Sequence, residues 1–134
     1  MEPACGSGTI VKVLSNAGYD VTESDIRKGS DFLALTAGAE NIVTNPPYKQ
    51  AFEFVEHAKI VAKRKIAMLL PLEFLGGQRR FTLYQDRRFP LKVVYVFAER
   101  LTFGEGKMFP TAHAWFVWER GCRSQPRVDW IAPK

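Results

Sequence analysis

The sequence predicts an α/β fold, in which a sheet carries helices on both faces and ends in an antiparallel pair of strands. Segments with the apolar spacing of helices alternate with short β-branched or continuously apolar segments that are typical of strands. The last two strand-like segments, residues 93–97 and 114–118, have no helical pattern between them. We therefore expect these two segments to form a C-terminal antiparallel hairpin.

The first half of the chain predicts two helices and two strands. Apolar residues recur at helical spacing over residues 10–17, and Gly18 is a suitable residue to end that helix. Residues 19–22 and 41–44 have the β-branched composition of strands, and polar residues follow both. Residues 49–62 return to a three-or-four spacing, which predicts a second, amphipathic helix.

The second half begins with a buried strand. Residues 66–70 are continuously apolar, as strands covered on both faces of a parallel sheet tend to be, and Pro71 ends the run. Residues 72–86 predict a further helix, which the pair Gly76 and Gly77 weakens.

We expect residues 1–134 to form a single domain. A chain of 134 residues with 46% apolar content can bury a core, and the sequence contains no repeat or long linker that would divide it. Cys5 and Cys122 match no zinc-binding spacing, so we expect no metal and a reducing, cytoplasmic location. We expect no association with a membrane, since no apolar run approaches the roughly 20 residues of a span and the N-terminus lacks a signal-peptide pattern.

Charge is distributed unevenly along the chain. Residues 1–62 contain five Lys or Arg against eight Asp or Glu, whereas residues 63–134 contain fourteen against six, so the halves carry −3 and +8. The basic half permits a polyanionic partner, although a solvated basic face explains the charge equally well.

A glycine loop stands at the start of the chain. In residues 2–8, Glu-Pro-Ala-Cys-Gly-Ser-Gly, the glycines precede a helix and would let the backbone approach a ligand closely. A tight connection alone would explain the glycine pair equally well. Asp25 follows the next predicted strand, where an acid can accept both hydroxyls of a ribose or cap a turn.

The most informative segment is residues 45–48, Asn-Pro-Pro-Tyr, at the end of a predicted strand. Two consecutive prolines fix their φ angles and remove two N–H donors, so a rigid carbonyl acceptor lies beside the Asn amide and an aromatic ring. This combination suits a planar amine. A turn stiffened by proline would require neither the Asn nor the Tyr.

These motifs resemble those of the Rossmann-like S-adenosylmethionine-dependent methyltransferases, in particular the amino methyltransferases that act on N6 of adenine. The loop, Asp25 and the Asn-Pro-Pro-Tyr segment occur in the family's order, and residues 114–118 resemble its late hairpin strand. Asp31 and Phe32 lie where the family commonly has an acid and an aromatic residue for the cofactor's adenine. The cofactor-binding residues that the resemblance implies are Glu2, Pro3, Ala4, Cys5, Gly6, Gly8, Asp25, Asp31 and Phe32.

The resemblance implies transfer of a methyl group from S-adenosylmethionine to the N6 amine of adenine in DNA. In the catalytic motif of Asn45, Pro46, Pro47 and Tyr48, the Asn45 oxygen and the Pro46 carbonyl would accept hydrogen bonds from the amine, and Tyr48 would stack on the base. Neither a metal nor a covalent nucleophile is needed, because the positively charged sulfur is already a good leaving group.

A base inside a duplex cannot reach such a site, so a DNA partner would have its adenine flipped out. The basic half could supply contacts to the backbone, and two aromatic residues could stack, although each is also explained as a solvated charge or a core residue. The candidates are Lys63, Arg64, Lys65, Arg79, Arg80, Arg87, Arg88, Phe103 and Phe109.

The sequence departs from the family pattern at its start. Met1 directly precedes Glu2, so we expect a truncated first strand and a methyltransferase domain that is N-terminally truncated or minimal. Unpaired strands would make this form marginally stable and favour self-association or a partner chain. Two alternatives stay open: methylation of RNA adenine or protein glutamine, and a catalytically degenerate, methyltransferase-like binding domain.

Overall fold

The computed structural model describes residues 1–134, apart from the side chain of Phe103. The protein has a mixed α/β sheet of five strands together with helices, as the sequence predicts. The chain divides into two compact units, Met1–Met68 and Leu69–Lys134.

The first unit is built around a parallel β-α-β crossover. Strand β1 (Ala39–Thr44) is followed by helix α2 (Ala51–Val61) and by strand β2 (Ala62–Pro71), which continues into the second unit. Ile42 of β1 is in register with Ile66 of β2. The unit also contains α1 and three 3-10 turns, with bounds Thr9–Asn16, Ile26–Lys28, Phe32–Ala34 and Tyr48–Gln50.

The residues at the start of the chain lie between two neighbouring segments and pair with both. Glu2 forms an isolated parallel bridge with Glu23, and on the other side the Met1 carbonyl accepts the Val43 N–H at 3.0 Å. The predicted strand at residues 19–22 is wrong, because the structure has only the bridge at Glu23 there. A strand requires several consecutive residues paired with a neighbouring strand, whereas here a single residue pair, Glu2 with Glu23, forms a bridge.

The core of the first unit lies where α2 packs on the strands. Val55 and Ala58 of α2 and Ile42 and Ile66 of the strands are fully buried. The apolar spacing in the sequence therefore predicts α2 correctly, with its start moved two residues later because Tyr48–Gln50 forms a 3-10 turn.

The second unit holds an antiparallel pair and a further parallel strand. Helix α3 (Gln78–Gln85) follows a 3-10 turn at Leu72–Leu75, so the single predicted helix over residues 72–86 is wrong. Gly77 separates the two pieces with a φ of 110°, a conformation that L side chains rarely adopt. The strands of this unit are β3 (Leu91–Phe97), β4 (Thr102–Phe103), β5 (Lys107–Met108), β6 (His113–Glu119) and β7 (Arg127–Ile131).

The predicted terminal pair is confirmed. β3 and β6 are antiparallel, with Val94 opposite Phe116, and both of these residues are buried. β7, which the sequence analysis does not predict, runs parallel to β3 on its other side, with Val94 in register with Val128. β7 is an almost fully exposed edge strand. Its first four residues alternate charged and apolar side chains, but this run is too short and too polar to stand out as a buried strand does.

No helix in the described structure is both long and apolar enough to cross a bilayer. Within the same residues, no three His, Cys, Asp or Glu side chains group in a way that would hold a metal ion. Cys5 and Cys122 are both free thiols.

We expect Ile66→Ala to lower the free energy of unfolding by about 2–5 kcal/mol, because it opens a cavity in the core of the first unit. Ile60→Ala is the matched control, since Ile66 is fully buried and Ile60 is 75% exposed. The control should change stability by about 0.5 kcal/mol or less. Urea denaturation of both variants measures the difference, and equal losses would contradict this description of the core.

Candidate functional site

The first unit contains a cavity of about 350 Å³ beside the carboxyl end of β1. This volume is within the range of small-molecule sites, which is about 300–1,000 Å³. Eight of the residues that the sequence analysis predicts for the site line the cavity: Pro3, Ala4, Gly6, Asp25, Asp31, Phe32, Asn45 and Pro47. The other predicted residues, Glu2, Cys5, Gly8, Pro46 and Tyr48, are not among its lining residues.

The glycine loop bends sharply before it enters α1. Gly6 and Gly8 have φ angles of 51° and 83°, in the left-handed region that favours glycine. The Gly8 N–H donates to the Cys5 carbonyl at 2.7 Å, and the Cys5 N–H donates to the Ser24 carbonyl at 3.0 Å. The loop is thereby fixed against the segment that leads to Asp25.

Glu2 lies behind the loop and is buried. Its Oε1 accepts the Ala4 N–H at 2.9 Å and the hydroxyl of Thr44, which directly precedes Asn45. Oε2 is also buried and has no hydrogen-bond partner among the described atoms. Burial raises the pKa of Glu2 above its usual range. Glu2 therefore supports the loop and the end of β1 from behind, where sequence reasoning expected a ligand contact.

Asp25 connects the loop to the next turn. One carboxylate oxygen accepts the Gly6 N–H at 2.8 Å, and the other accepts the backbone N–H and Nε of Arg27 at 2.9 and 3.0 Å. The side-chain hydrogen bond from Arg27, with the bonds from both backbone N–H groups, holds the pKa of Asp25 well below its usual range. Asp25 is therefore ionised in the cavity wall, and Arg27 covers it.

Phe32 forms an apolar part of the wall and is almost fully buried. Its ring lies 5.0 Å from the ring of Phe54 and 5.0 Å from the edge-on ring of His57. His57 also places Nε2 at 2.8 Å from the Leu35 carbonyl, which ties the Phe32 turn to α2. The adjacent Asp31 caps this turn by accepting the Leu33 N–H at 3.0 Å.

The Asn-Pro-Pro-Tyr segment presents two free acceptors. Asn45 Oδ1 is buried and has no hydrogen-bond partner within the described structure, and Asn45 lines the cavity. The Pro47 carbonyl accepts the Gln50 N–H at 2.9 Å, whereas no described donor contacts the Pro46 carbonyl. Burial raises the pKa of Tyr48 to about 12, so its phenol stays protonated at neutral pH. The segment can accept hydrogen bonds from a ligand that brings donors.

Five further residues line the cavity and are not predicted from the sequence: Ile26, Arg27, Ser30, Gln50 and Phe54. Ile26 is 67% exposed, although it is apolar, and its position directly after Asp25 is the signal that could have identified it. Arg27 could have been found by the same proximity, since residues next to a predicted ligand-binding acid share its turn.

The basic residues Lys63, Arg64 and Lys65 do not reach the cavity. Lys65 is in register with Asn41 across the parallel strands, so the basic run lies towards the amino ends of the strands. Asn45 is four residues beyond Asn41, which is about 13 Å along a strand. The other basic candidates belong to the second unit, the side chain of Phe103 lies outside the described residues, and Phe109 packs 4.7 Å from the ring of His113.

The sequence matches no family model and no curated protein. Solved structures do match. A Listeria monocytogenes protein assigned as a class I S-adenosylmethionine-dependent methyltransferase has a TM-score of 0.63 at 14% identity, over 98% of this chain and 57% of that chain. The chain has the Rossmann-like methyltransferase fold.

Two further structures share this fold. The modification subunit assigned to a type I restriction enzyme of Vibrio vulnificus YJ016 has a TM-score of 0.65 at 12% identity, over 99% of this chain and 42% of that chain. A Pyrococcus horikoshii protein assigned as an RNA methyltransferase has a TM-score of 0.61 at 8% identity, over 92% of this chain and 73% of that chain. This chain therefore spans about half the length of the Listeria and Vibrio proteins.

We expect Glu2→Gln to change how stability depends on pH. The raised pKa of Glu2 means that the folded protein binds this proton more tightly than the unfolded chain does. The stability that the protonated Glu2 contributes is fully present below its ordinary pKa of 4.5. It is lost as the pH rises through the raised pKa. From acid to neutral pH, the free energy of unfolding of the wild type should therefore fall relative to that of the variant.

Urea denaturation across this pH range measures the difference. Thr44→Val is the control, because it removes the hydroxyl partner and keeps the titrating carboxyl. A difference between wild type and Glu2→Gln that does not vary with pH would contradict the burial of an ionisable Glu2.

Proposed function

We propose that this chain is a methyltransferase domain that uses S-adenosylmethionine to methylate the N6 amine of adenine in DNA. The observation that carries the proposal is the buried, unpartnered Oδ1 of Asn45 in a cavity that also contains Gly6, Asp25 and Phe32. A buried acceptor without a donor costs free energy, so such a group indicates a ligand that supplies the missing hydrogen bond. The methyltransferase fold and the resemblance of the motifs support the same conclusion.

The cavity wall suits the cofactor. Gly6 would let the backbone of the loop lie against it, because no side chain projects there. Asp25 is an ionised acceptor suited to ribose hydroxyls, and the buried ring of Phe32 offers an apolar surface for adenine. Arg27 is ion-paired with the same carboxylate, but its side chain is mostly exposed. It can therefore move into solvent when a ribose binds to Asp25.

The chain's own residues would orient the target amine. Asn45 Oδ1 and the Pro46 carbonyl each accept one N–H, which turns the nitrogen lone pair out of conjugation with the base. The bound cofactor supplies an electrophilic methyl group on a sulfonium that leaves as a neutral thioether. The amine then loses one proton to water, so the chain needs to hold and desolvate the nitrogen without acting as a nucleophile.

Tyr48 directly follows the prolines, and its ring would stack on the target base. An adenine inside a duplex cannot enter this site, so the base has to be flipped out of the helix. The net charge of +8 over residues 63–134 supports a nucleic acid over a protein substrate.

The second candidate is methylation of an adenine in RNA, which is favoured by the structural similarity to the Pyrococcus protein. A glutamine side chain of a protein substrate would also present a planar amide that Asn45 could bind. The positive charge of residues 63–134 would add no affinity for such a substrate. A binding domain without catalysis would keep the cavity and lack turnover.

We expect Asp25→Ala to weaken S-adenosylmethionine binding by about tenfold or more, because it removes the charged acceptor and the bond that holds Gly6. Arg27→Ala should instead strengthen binding a few-fold, since it uncovers the carboxylate and leaves the Gly6 bond in place. Isothermal titration calorimetry on both variants separates the two effects. Equal losses in both would show that Arg27 contacts the cofactor and does not compete with it.

We expect Asn45→Ala to lower kcat by about 100-fold or more and to leave cofactor affinity within about threefold, because Asn45 acts on the amine. Asn41→Ala is the control, since it removes the same amide from an exposed position in β1, the strand that leads to Asn45. Single-turnover transfer from methyl-labelled cofactor to an adenine-containing oligonucleotide measures the rate. Wild-type turnover by Asn45→Ala would remove this mechanism.

A further inference from the structure

Helix α3 presents an aromatic ring to solvent. Phe81 is 61% exposed, whereas Leu83 two residues later is 4% exposed and anchors the opposite face of the helix. Phe81 makes no ring contact with any described residue. Singly exposed apolar side chains are common on protein surfaces, so the ring indicates a ligand only together with the groups that surround it.

Two amides flank this ring on the same helical face. Gln78 precedes Phe81 by three residues and Gln85 follows it by four, which are the spacings that bring side chains together on a helix. Both are exposed, and neither side-chain amide has a hydrogen-bond partner among the described residues. An amide supplies both a donor and an acceptor, the combination that the edges of nucleobases require.

The segment around the ring is strongly basic. Residues 78–88 contain four arginines and one acid, Asp86. Arg80 is used internally, because it donates to the Glu73 carbonyl at 2.7 Å and lies over the Phe74 ring. Arg87 is exposed, and the Arg88 side chain is 91% exposed with its Nε 3.8 Å from Asp86. The net charge of the segment complements a phosphate backbone.

We propose that the exposed face of α3 and the arginines that follow it bind an unpaired stretch of nucleic acid, with a base stacked on Phe81. An aromatic platform beside basic side chains is the arrangement that binds single strands without strict sequence preference. This inference rests on the proposed function for its choice of nucleic acid over another polyanion. A membrane surface would need a broader apolar face than Phe81 and its two glutamines provide.

Fluorescence anisotropy with a labelled single-stranded oligonucleotide tests the surface on the whole chain. Phe81→Ala should weaken binding by about 5- to 100-fold, and Phe81→Trp should restore it, because stacking depends on an aromatic plane. Arg87→Gln should reduce the slope of log affinity against log salt by about 0.7, the value for one phosphate on a single strand. Tyr19→Ala is the control, since Tyr19 is an aromatic residue of similar exposure, 66%, in the first unit.

Unchanged affinity in Phe81→Ala, or an equal loss in Tyr19→Ala, would overturn the proposal. So would a dimer that Phe81→Ala disrupts without a change in oligonucleotide binding, because the ring would then bind a second copy. Calorimetry with S-adenosylmethionine keeps the two proposals apart. A chain that binds the oligonucleotide through Phe81 and does not bind the cofactor would reject the proposed function and retain this surface.

Discussion

The buried carboxyl of Glu2 is the interaction on which the geometry of the candidate site depends. One oxygen accepts both the Ala4 N–H, within the glycine loop, and the Thr44 hydroxyl, at the end of β1. The loop and the residue before Asn45 are thus tied to the same atom. Burial of a carboxyl is costly unless it is hydrogen-bonded, so this pair of bonds fixes the distance between the two halves of the cavity wall.

Around this connection, some polar groups are satisfied and others are left open. Asp25 receives donors from Gly6 and Arg27 on both of its oxygens, which makes the loop rigid before any ligand arrives. Asn45 Oδ1 is buried without a donor. A fixed loop beside an unsatisfied acceptor is a preorganised arrangement, in which the cost of orienting the acceptor is met during folding.

Apolar periodicity predicts α2, β1, β2 and the antiparallel pair, because each of these elements buries one face or both. It also predicts α1, although the apolar side chains of that helix, Ile10, Val11 and Leu14, are only half-buried. It misses β7, which is an exposed edge, and it wrongly predicts a strand over residues 19–22, where the structure has only an isolated bridge at the following residue, Glu23. Residue chemistry places Asp25 and Asn45 at one cavity. It does not reveal that Arg27 covers Asp25 or that Glu2 lies behind the loop, because both depend on how distant segments fold together.

The most direct test is to incubate the chain with DNA and S-adenosylmethionine that carries a deuterated methyl group, and then to digest the DNA to nucleosides for mass spectrometry. The account predicts labelled N6-methyladenine, and no label when Asn45 is replaced by alanine. Label found only in RNA or in glutamine of added protein, or no label at all from a chain that binds the cofactor, would contradict it.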